Sequence, residues 1–420
     1  MKRFTLAILG CGNRGTMFAR AFQVLKEQFE IVAFCDKNPS QIKRIHTLYG
    51  FEKVVDYYSN EEFLKEKRAD ALVIATDDRY HVPQCLRALE LGYDVLLEKP
   101  ISDNRKELYA LLDMQKKTGR KVVVCHELRY GAGYIKCAEL LKSGVIGKLY
   151  AIDASERVVY WHWAQAYVRG MENLADPSVS HPAILAKCSH DLDLIQSYAQ
   201  SKCDTVSSIG SRFFFTPEHA PDGATEWCLD CPHIQTCPYS AKRVYVDAWH
   251  EAGEPVYGWP YNKATLDAPF TEEKLLAGLR TRAYGKCVFF INRDLVDHQF
   301  VQMRFQNGVT ASLKMVYGAT PGRRITFYGT HGEIQMDERL DELSVMPYGG
   351  ATQTLSLCTI VEGGNAHGGG DGVLIRSFYG ILTGEIPPLT SLEESLECHL
   401  IGIAAEESRK RGGELVVVHK

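Results

Sequence analysis

The chain has 420 residues, 45% of them hydrophobic and 24% charged, with a formal net charge of −4. That length exceeds one typical core, so two domains are expected. The near-neutral balance excludes nucleic acid or an anionic membrane surface as the driving partner, and no apolar run approaches the roughly 18–20 residues that cross a bilayer.

The opening "MKRFTLAILG" imitates a signal peptide, with two positive charges and an apolar stretch. It runs straight into a glycine turn without a small-residue cleavage site, so it reads as a first strand and the protein as cytoplasmic. Five short apolar runs then follow one another: "FTLAILG", "EIVAFCD", "ADALVIAT", "YDVLLEK" and "KVVVCHE". Runs of this length suit strands buried on both faces. Helical patterns lie between them, from Thr16 to Gln28, over "NPSQIKRIHTLYG" with Asn38 as cap and Pro39 at the first helical position, over "HVPQCLRALELG", and over "DNRKELYALLDMQKKTG" ending at Gly119. This alternation predicts a Rossmann-type, doubly wound parallel sheet over residues 1–126.

The texture changes after about Tyr150. "GKLYAIDASERVVY", "VSSIGSRFFF", "HQFVQMRFQNGVTASLKMVYG" and "RRITFYGTHGEIQMD" alternate as long strands do, and Asn307-Gly308 is a two-residue hairpin signal. Helices near 371–383 and 391–411 precede a last strand, "ELVVVH". Residues 127–420 are therefore expected to form an α+β domain on a large, mostly antiparallel open sheet, with a loop-rich insertion at about 216–296. A sheet face left open would favour a homodimer or homotetramer.

"AILGCGNRG" places Gly10, Gly12 and Gly15 as G-x-G-x-x-G after the first strand. The three glycines serve a tight turn, a close approach to pyrophosphate and close helix packing, with Cys11, Asn13 and Arg14 between them. Phosphates would sit on the free N–H groups of the helix N-terminus. Asp36 closes the second strand, where a carboxylate accepts from ribose hydroxyls and repels a 2′-phosphate, so the cofactor is expected to be NAD. Thr76 and His81, in "IATDDRYH", fall at the same carboxyl edge. Glu98, Lys99 and Pro100 end the next strand there, presenting an amine beside the nicotinamide.

With these stretches and "HELRYGAGY" in view, the sequence resembles the Gfo/Idh/MocA oxidoreductases. The resemblance implies a Rossmann domain joined to an α/β domain that often mediates oligomerisation, a tightly held NAD(P), and sugar or polyol substrates. It also implies that Lys99 lies near the nicotinamide and the reacting hydroxyl. Arg129 and Tyr130, inside "HELRYGAGY", are candidate substrate contacts.

"HPAILAKCSHDLDLIQSY" reads as a helix from Pro182, with Lys187, His190 and Asp191 sharing one face. A face carrying all three is either solvated, with a Lys187–Asp191 pair, or catalytic. The family's Asp-x-Gly-x-His-x-x-Asp signature is matched here by His190 and Asp193, whereas Ala186 and Cys188 replace its first two members. His190 carries over as acid/base, and Lys187 is an addition. "SERVVYWHWAQAYVRG" contributes Arg157, Trp161, His162, Trp163 and Arg169, a mixture that suits a carbohydrate pocket as well as ordinary packing. "NAHGGGDG" sets His367 and Asp371 beside glycines before a helix, as in a loop closing over substrate.

Most of the thirteen cysteines are scattered singly in apolar segments, where reduced cysteine is a small core residue. No disulfide framework is expected in a chain of this length. Cys228, Cys231 and Cys237 stand apart as C-x2-C-x5-C, which suits either a structural zinc site, with a fourth ligand from His233 or a distant cysteine such as Cys188 or Cys203, or, since a second C-x2-C is missing, three reduced cysteines in a loop or a redox pair.

Three functions compete. The first is an NAD-dependent oxidoreductase moving hydride between nicotinamide and a hydroxyl carbon of a small carbohydrate, with Lys99 or His190 taking the proton. The second is an NAD-dependent glycosidase, as some Gfo/Idh/MocA relatives are, using transient oxidation, elimination, water addition and re-reduction. The third is a non-catalytic NAD-binding sensor.

Overall fold

The computed structural model describes residues 2–170, 181–291, 293–360 and 369–419. Six strands form the first sheet: β1 (Phe4–Leu9), β2 (Phe29–Cys35), β3 (Val55–Tyr57), β4 (Ala71–Ile74), β5 (Asp94–Leu97) and β6 (Val122–Val124). All pairings are parallel, in the order β3-β2-β1-β4-β5-β6. Every residue of β4 is buried, which is why its sequence is continuously apolar and not alternating. Helices α1 (Asn13–Val24), α2 (Pro39–Tyr49), α3 (His81–Glu90) and α4 (Arg105–Thr118) cross between the strands. The order reverses between β1 and β4, and a crevice opens at their carboxyl ends. Helix α1 begins at Asn13, three residues before the apolar pattern does, because Gly12 itself supplies the cap position.

After α5 (Ala132–Lys142) the second sheet is assembled from β7 (Leu149–Val159), β8 (Cys203–Ser211), β9 (His298–Phe305), β10 (Thr310–Gly318), β11 (Gly322–Gly329), β12 (Gly332–Asp337), β13 (Glu342–Pro347), β14 (Gln353–Ser356) and β15 (Val416–Val417). Their order is β14-β13-β12-β11-β7-β10-β9-β8-β15, antiparallel except for the β7/β10 pair. Burial alternates strictly along β9, so one face is covered and the other open. Helices α6 (Ala183–Ala199) and α9 (Leu392–Lys410) pack on the covered face.

Two features were not legible as organisation. Helix α8 (Gly370–Thr383) returns to the first domain, where Leu374, Ile375 and Phe378 join the core of Phe18, Phe22 and Phe29. The insertion has a small core of its own, built around Tyr245, Trp249 and helix α7 (Glu272–Thr281). It also leans across the nucleotide domain: the Tyr257 hydroxyl donates to Asn13 Oδ1 at 3.0 Å, and the Arg44 guanidinium lies 4.5 Å from the Tyr257 ring.

Candidate active site

A cavity of about 760 Å³ opens at the carboxyl ends of β1, β2 and β4, lined on that side by Gly10, Gly12, Asn13, Arg14, Asp36 and Thr76. The insertion forms the opposite wall with Asn262, Arg282 and Tyr284. Gly10 has φ +92°, and a Cβ there would lie 2.4 Å from the Ala75 carbonyl oxygen. At Gly15 a Cβ would strike the Gly10 carbonyl at 1.9 Å, so α1 can sit against the turn only with glycine. Gly12 differs, because a Cβ there would meet nothing within 4 Å. No protein contact requires glycine at Gly12, and a ligand approaching the backbone would. No side chain caps α1, which leaves its first N–H groups open to an anion. Asp36 accepts the backbone N–H groups of Cys11 and Asn38 at 2.7 and 2.8 Å, which aims its carboxylate at the cavity rim. These residues fit a dinucleotide.

His81 does not line this cavity. Its buried ring bridges the carbonyls of Pro100, at 2.7 Å, and Thr76, at 3.1 Å, and so ties the end of β5 to that of β4. Cys11 is fully buried, and its backbone N–H is the group that serves the site.

At the end of β5, Glu98 is buried and ion-paired with Arg14. Arg14 also pairs with Glu127, and its Nη2 lies 3.0 Å from Asp371 Oδ1 on α8. Burial would lower the Arg14 pKa, but Glu127, Glu98 and Asp371 together hold it well above the ordinary value. Next in sequence, Lys99 reaches across to the second domain and donates to the Ala186 carbonyl at 3.1 Å. Ala186 is one helical turn before His190 on α6, so lysine and histidine belong to one neighbourhood. His190 Nε2 lies 3.6 Å from Glu127 Oε2, and its ring packs edge-on against His126 at 5.7 Å. Burial keeps His126 well below its ordinary pKa, with Arg129 and Lys99 acting in the same direction.

Lys187 and Asp191 do not pair with each other. Lys187 Nζ bonds Glu156 on β7 at 2.9 Å, and Asp191 receives Arg323 from β11 at 2.8 Å. Arg323 also reaches Glu156, at 3.0 Å, which closes a buried four-charge network. Burial favours a neutral Lys187 amine, yet Glu156 and Tyr167 outweigh it and hold the ammonium. Lys187 is thus a fixed cation and a poor base. It lines a second cavity, of about 340 Å³, with Arg157, His162, Arg323 and Glu338. Trp259, from the insertion, packs on His162 at 4.9 Å and on Trp161 at 5.2 Å, giving this region an aromatic border.

Burial lowers His162 to about 4, with the Lys187 charge adding to the effect. Because the folded value lies below the unfolded one, His162 stabilises the fold above pH 6.5, and this contribution is lost as pH falls toward 4. His162→Gln is expected to flatten stability between those limits by on the order of 3 kcal/mol, read from urea midpoints across the pH range.

Four expected substrate contacts serve packing instead. Trp163 is fully buried against Tyr167 and Tyr317, because the π-helical stretch Trp163–Arg169 turns it inward. Arg169, equally buried, donates to the carbonyls of Lys286 and Tyr239 at 2.7 and 2.6 Å. Tyr130 is in the core, with its hydroxyl 3.2 Å from Thr390 Oγ1. Arg129 is held by Asp193, at 3.1 Å, and Glu394, at 2.7 Å. His367 lies outside the described residues. Glu127 lies inside "HELRYGAGY" but was given no role, and Glu156, Arg323 and the insertion residues Asn262, Arg282 and Tyr284 carry no local motif and went unnoticed in the sequence.

The family description "Oxidoreductase family, NAD-binding Rossmann fold" matches residues 4–126, and its C-terminal alpha/beta domain matches residues 138–417. The chain belongs to the Gfo/Idh/MocA oxidoreductase family. Among Gfo/Idh/MocA-like relatives, YteT of Bacillus subtilis, an oxidoreductase by name, is 22% identical over 398 residues, covering 89% of this chain and 88% of its own. A glycosyl hydrolase family 109 protein of Stenotrophomonas maltophilia is 24% identical over 164 residues, 36% of each chain. The solved structure of levoglucosan dehydrogenase with NADH and levoglucosan has the same fold, with TM-score 0.71, 16% identity and full coverage of both chains. No helix among the described residues is long and apolar enough to cross a membrane.

Proposed function

We propose that this protein is an NAD-dependent dehydrogenase oxidising a hydroxyl-bearing carbon of a sugar, polyol or sugar derivative. The observation that carries the reading is the position of Lys99. Glu98, Lys99 and Pro100 are not among the residues lining the nucleotide cavity; from the end of β5 Lys99 crosses to the second domain and hydrogen-bonds to Ala186, the residue before Lys187, which lines the polar second cavity. Gly10, Gly12, Gly15 and the open N-terminus of α1 would hold the pyrophosphate, and Asp36 a ribose. NAD, when bound, supplies the hydride acceptor.

Lys99 takes the hydroxyl proton, and His190, one turn from the carbonyl that Lys99 contacts, orients the same oxygen. Glu127 sets the His190 ring and is itself fixed by Arg14. The cations Lys187, Arg323 and Arg157 around the second cavity bind the remaining hydroxyls or an acid group of the substrate, with Trp161 and Trp259 bordering an apolar ring face. The cross-strand neighbours Ile209 and Phe300, 60% and 36% exposed on the open sheet face, suit a homo-oligomer.

The similarity to a family 109 glycosyl hydrolase favours a second reading: the same oxidation acidifies the neighbouring C–H, a glycosidic bond is lost by elimination, and water addition and re-reduction follow. A panel of free sugars and aryl glycosides with NAD, followed for NADH absorbance and aglycone release together, separates the two. NADH without aglycone is expected. Aglycone over many turnovers without net NADH would assign the second reading, and neither signal would count against both.

Asp36→Ala is expected to cut the preference for NAD over NADP at least about tenfold, about 1.4 kcal/mol, because the repelling carboxylate goes while Lys37 still lines the cavity. Cofactor titration by intrinsic fluorescence checks it.

A further inference from the structure

We infer that the insertion holds one tetrahedral metal ion, of the zinc class, on the thiolates of Cys228, Cys231, Cys237 and Cys287. The three cysteines of the C-x2-C-x5-C stretch line a single small cavity of about 20 Å³, and the fourth sulfur there comes from Cys287, fifty residues farther along. Neither cysteine distance nor composition pointed to Cys287. Backbone pairing brings it in: Trp227 bridges Lys286, and the Cys287 N–H donates to the Glu226 carbonyl at 2.8 Å, which sets Cys287 beside Cys228. The other candidates for the fourth position are placed elsewhere. Cys188 is buried in α6 near Asp191 and Glu156, and Cys203 in β8 beside Glu397. His233 borders the cavity, but its Nε2 is 2.7 Å from the Asp222 carbonyl.

A compensating charge stands beside the quartet. The Arg169 guanidinium, fully buried, stands 3.4 Å from Cys228 Sγ, and its Nη1 has no partner among the described residues. Four thiolates around a divalent ion carry two net negative charges, and a buried guanidinium offsets one of them. The cavity has room for about one water-sized group, which fits a single ion.

The quartet is wider than a loaded site. It is absent from the ligand groups that converge within 4.8 Å among the described residues, whereas tetrahedral zinc sets sulfurs about 3.8 Å apart. The groups that do converge are already used: His399 receives the Ile101 N–H at 2.8 Å and bonds the Ser395 carbonyl at 2.7 Å, while Glu98 and Glu127 hold Arg14. Binding would therefore draw the insertion's loops inward, as expected of a small loop-rich unit whose core alone is modest.

The ion would act on the cofactor at a distance. Arg282, Ala283 and Tyr284 line the nucleotide cavity just before Cys287, and Gly170 lines it just after Arg169. Pinning Cys287 to the knuckle fixes that wall. The metal count itself is independent of the substrate reading.

The test is elemental analysis of full-length protein purified without a metal-affinity tag under reducing conditions. Zinc at one ion per chain is expected, released by a mercurial reagent into a colorimetric chelator. Cys287→Ser is expected to lose the zinc, and Cys358→Ser, at an exposed position outside the cluster, to keep it. The metal-depleted protein is expected to bind NAD about tenfold more weakly, with its helical circular dichroism retained. Substoichiometric metal in the unmutated protein, iron with acid-labile sulfide, or a disulfide among these cysteines found by peptide mapping would each overturn the inference.

Discussion

Replacing Lys99 by Met is expected to lower kcat by roughly 10²–10⁴-fold while NAD affinity changes little. The methionine replaces the unbranched stem of the lysine up to its terminal amine, so the end of β5 and the Glu98–Arg14 pair are expected to be preserved. What disappears is the amine that bridges to Ala186. Loss through kcat with the substrate KM nearly constant is the mark of a group acting on the reacting proton. A loss seen mainly in KM would reduce Lys99 to a binding residue. Unchanged activity would remove it from the chemistry.

Arg323→Met is expected to be the most damaging change to stability, at about 3–5 kcal/mol. The guanidinium is buried and pairs with Asp191 at 2.8 Å and Glu156 at 3.0 Å. Burial pushes Asp191 up despite its partner. For Glu156 burial acts the same way, but Arg323 and Lys187 outweigh it and hold the carboxyl below the usual range. Without Arg323, two buried carboxylates share one ammonium. Adding Asp191→Asn should recover part of the loss, because it removes one orphaned charge. Urea midpoints of the single and double variants check both statements, and additive losses would contradict the network.

The nucleotide half was legible because its devices are local. A turn glycine, a helix start and a strand-ending carboxylate act within a few dozen residues, and each leaves a spacing in the sequence. The hairpin at Asn307-Gly308 was legible for the same reason, and the structure pairs β9 with β10 across it. Long-range convergence left no such trace. Arg14 is met by Glu98, Glu127 and Asp371, drawn from three separated segments. Lys187 and Asp191 were natural partners by helical spacing, but each found a closer charge on the sheet beneath, Glu156 on β7 and Arg323 on β11. Composition could not sort the aromatic stretch, since the π-helical turn sends Trp163 into the core while Trp161 and His162 meet the insertion. The insertion itself read as elaboration of the second domain, and only its folded position reveals it as a wall of the nucleotide cavity.

The central claim is hydride transfer from a carbohydrate carbon to NAD. The most direct measurement incubates the protein with NAD and a sugar, chosen from those that give NADH, that carries deuterium on every carbon, and weighs the reduced cofactor by mass spectrometry. The account predicts NADH heavier by one mass unit, with the label retained in water. Reduced cofactor without deuterium would mean the hydride has another source, and would contradict the claim.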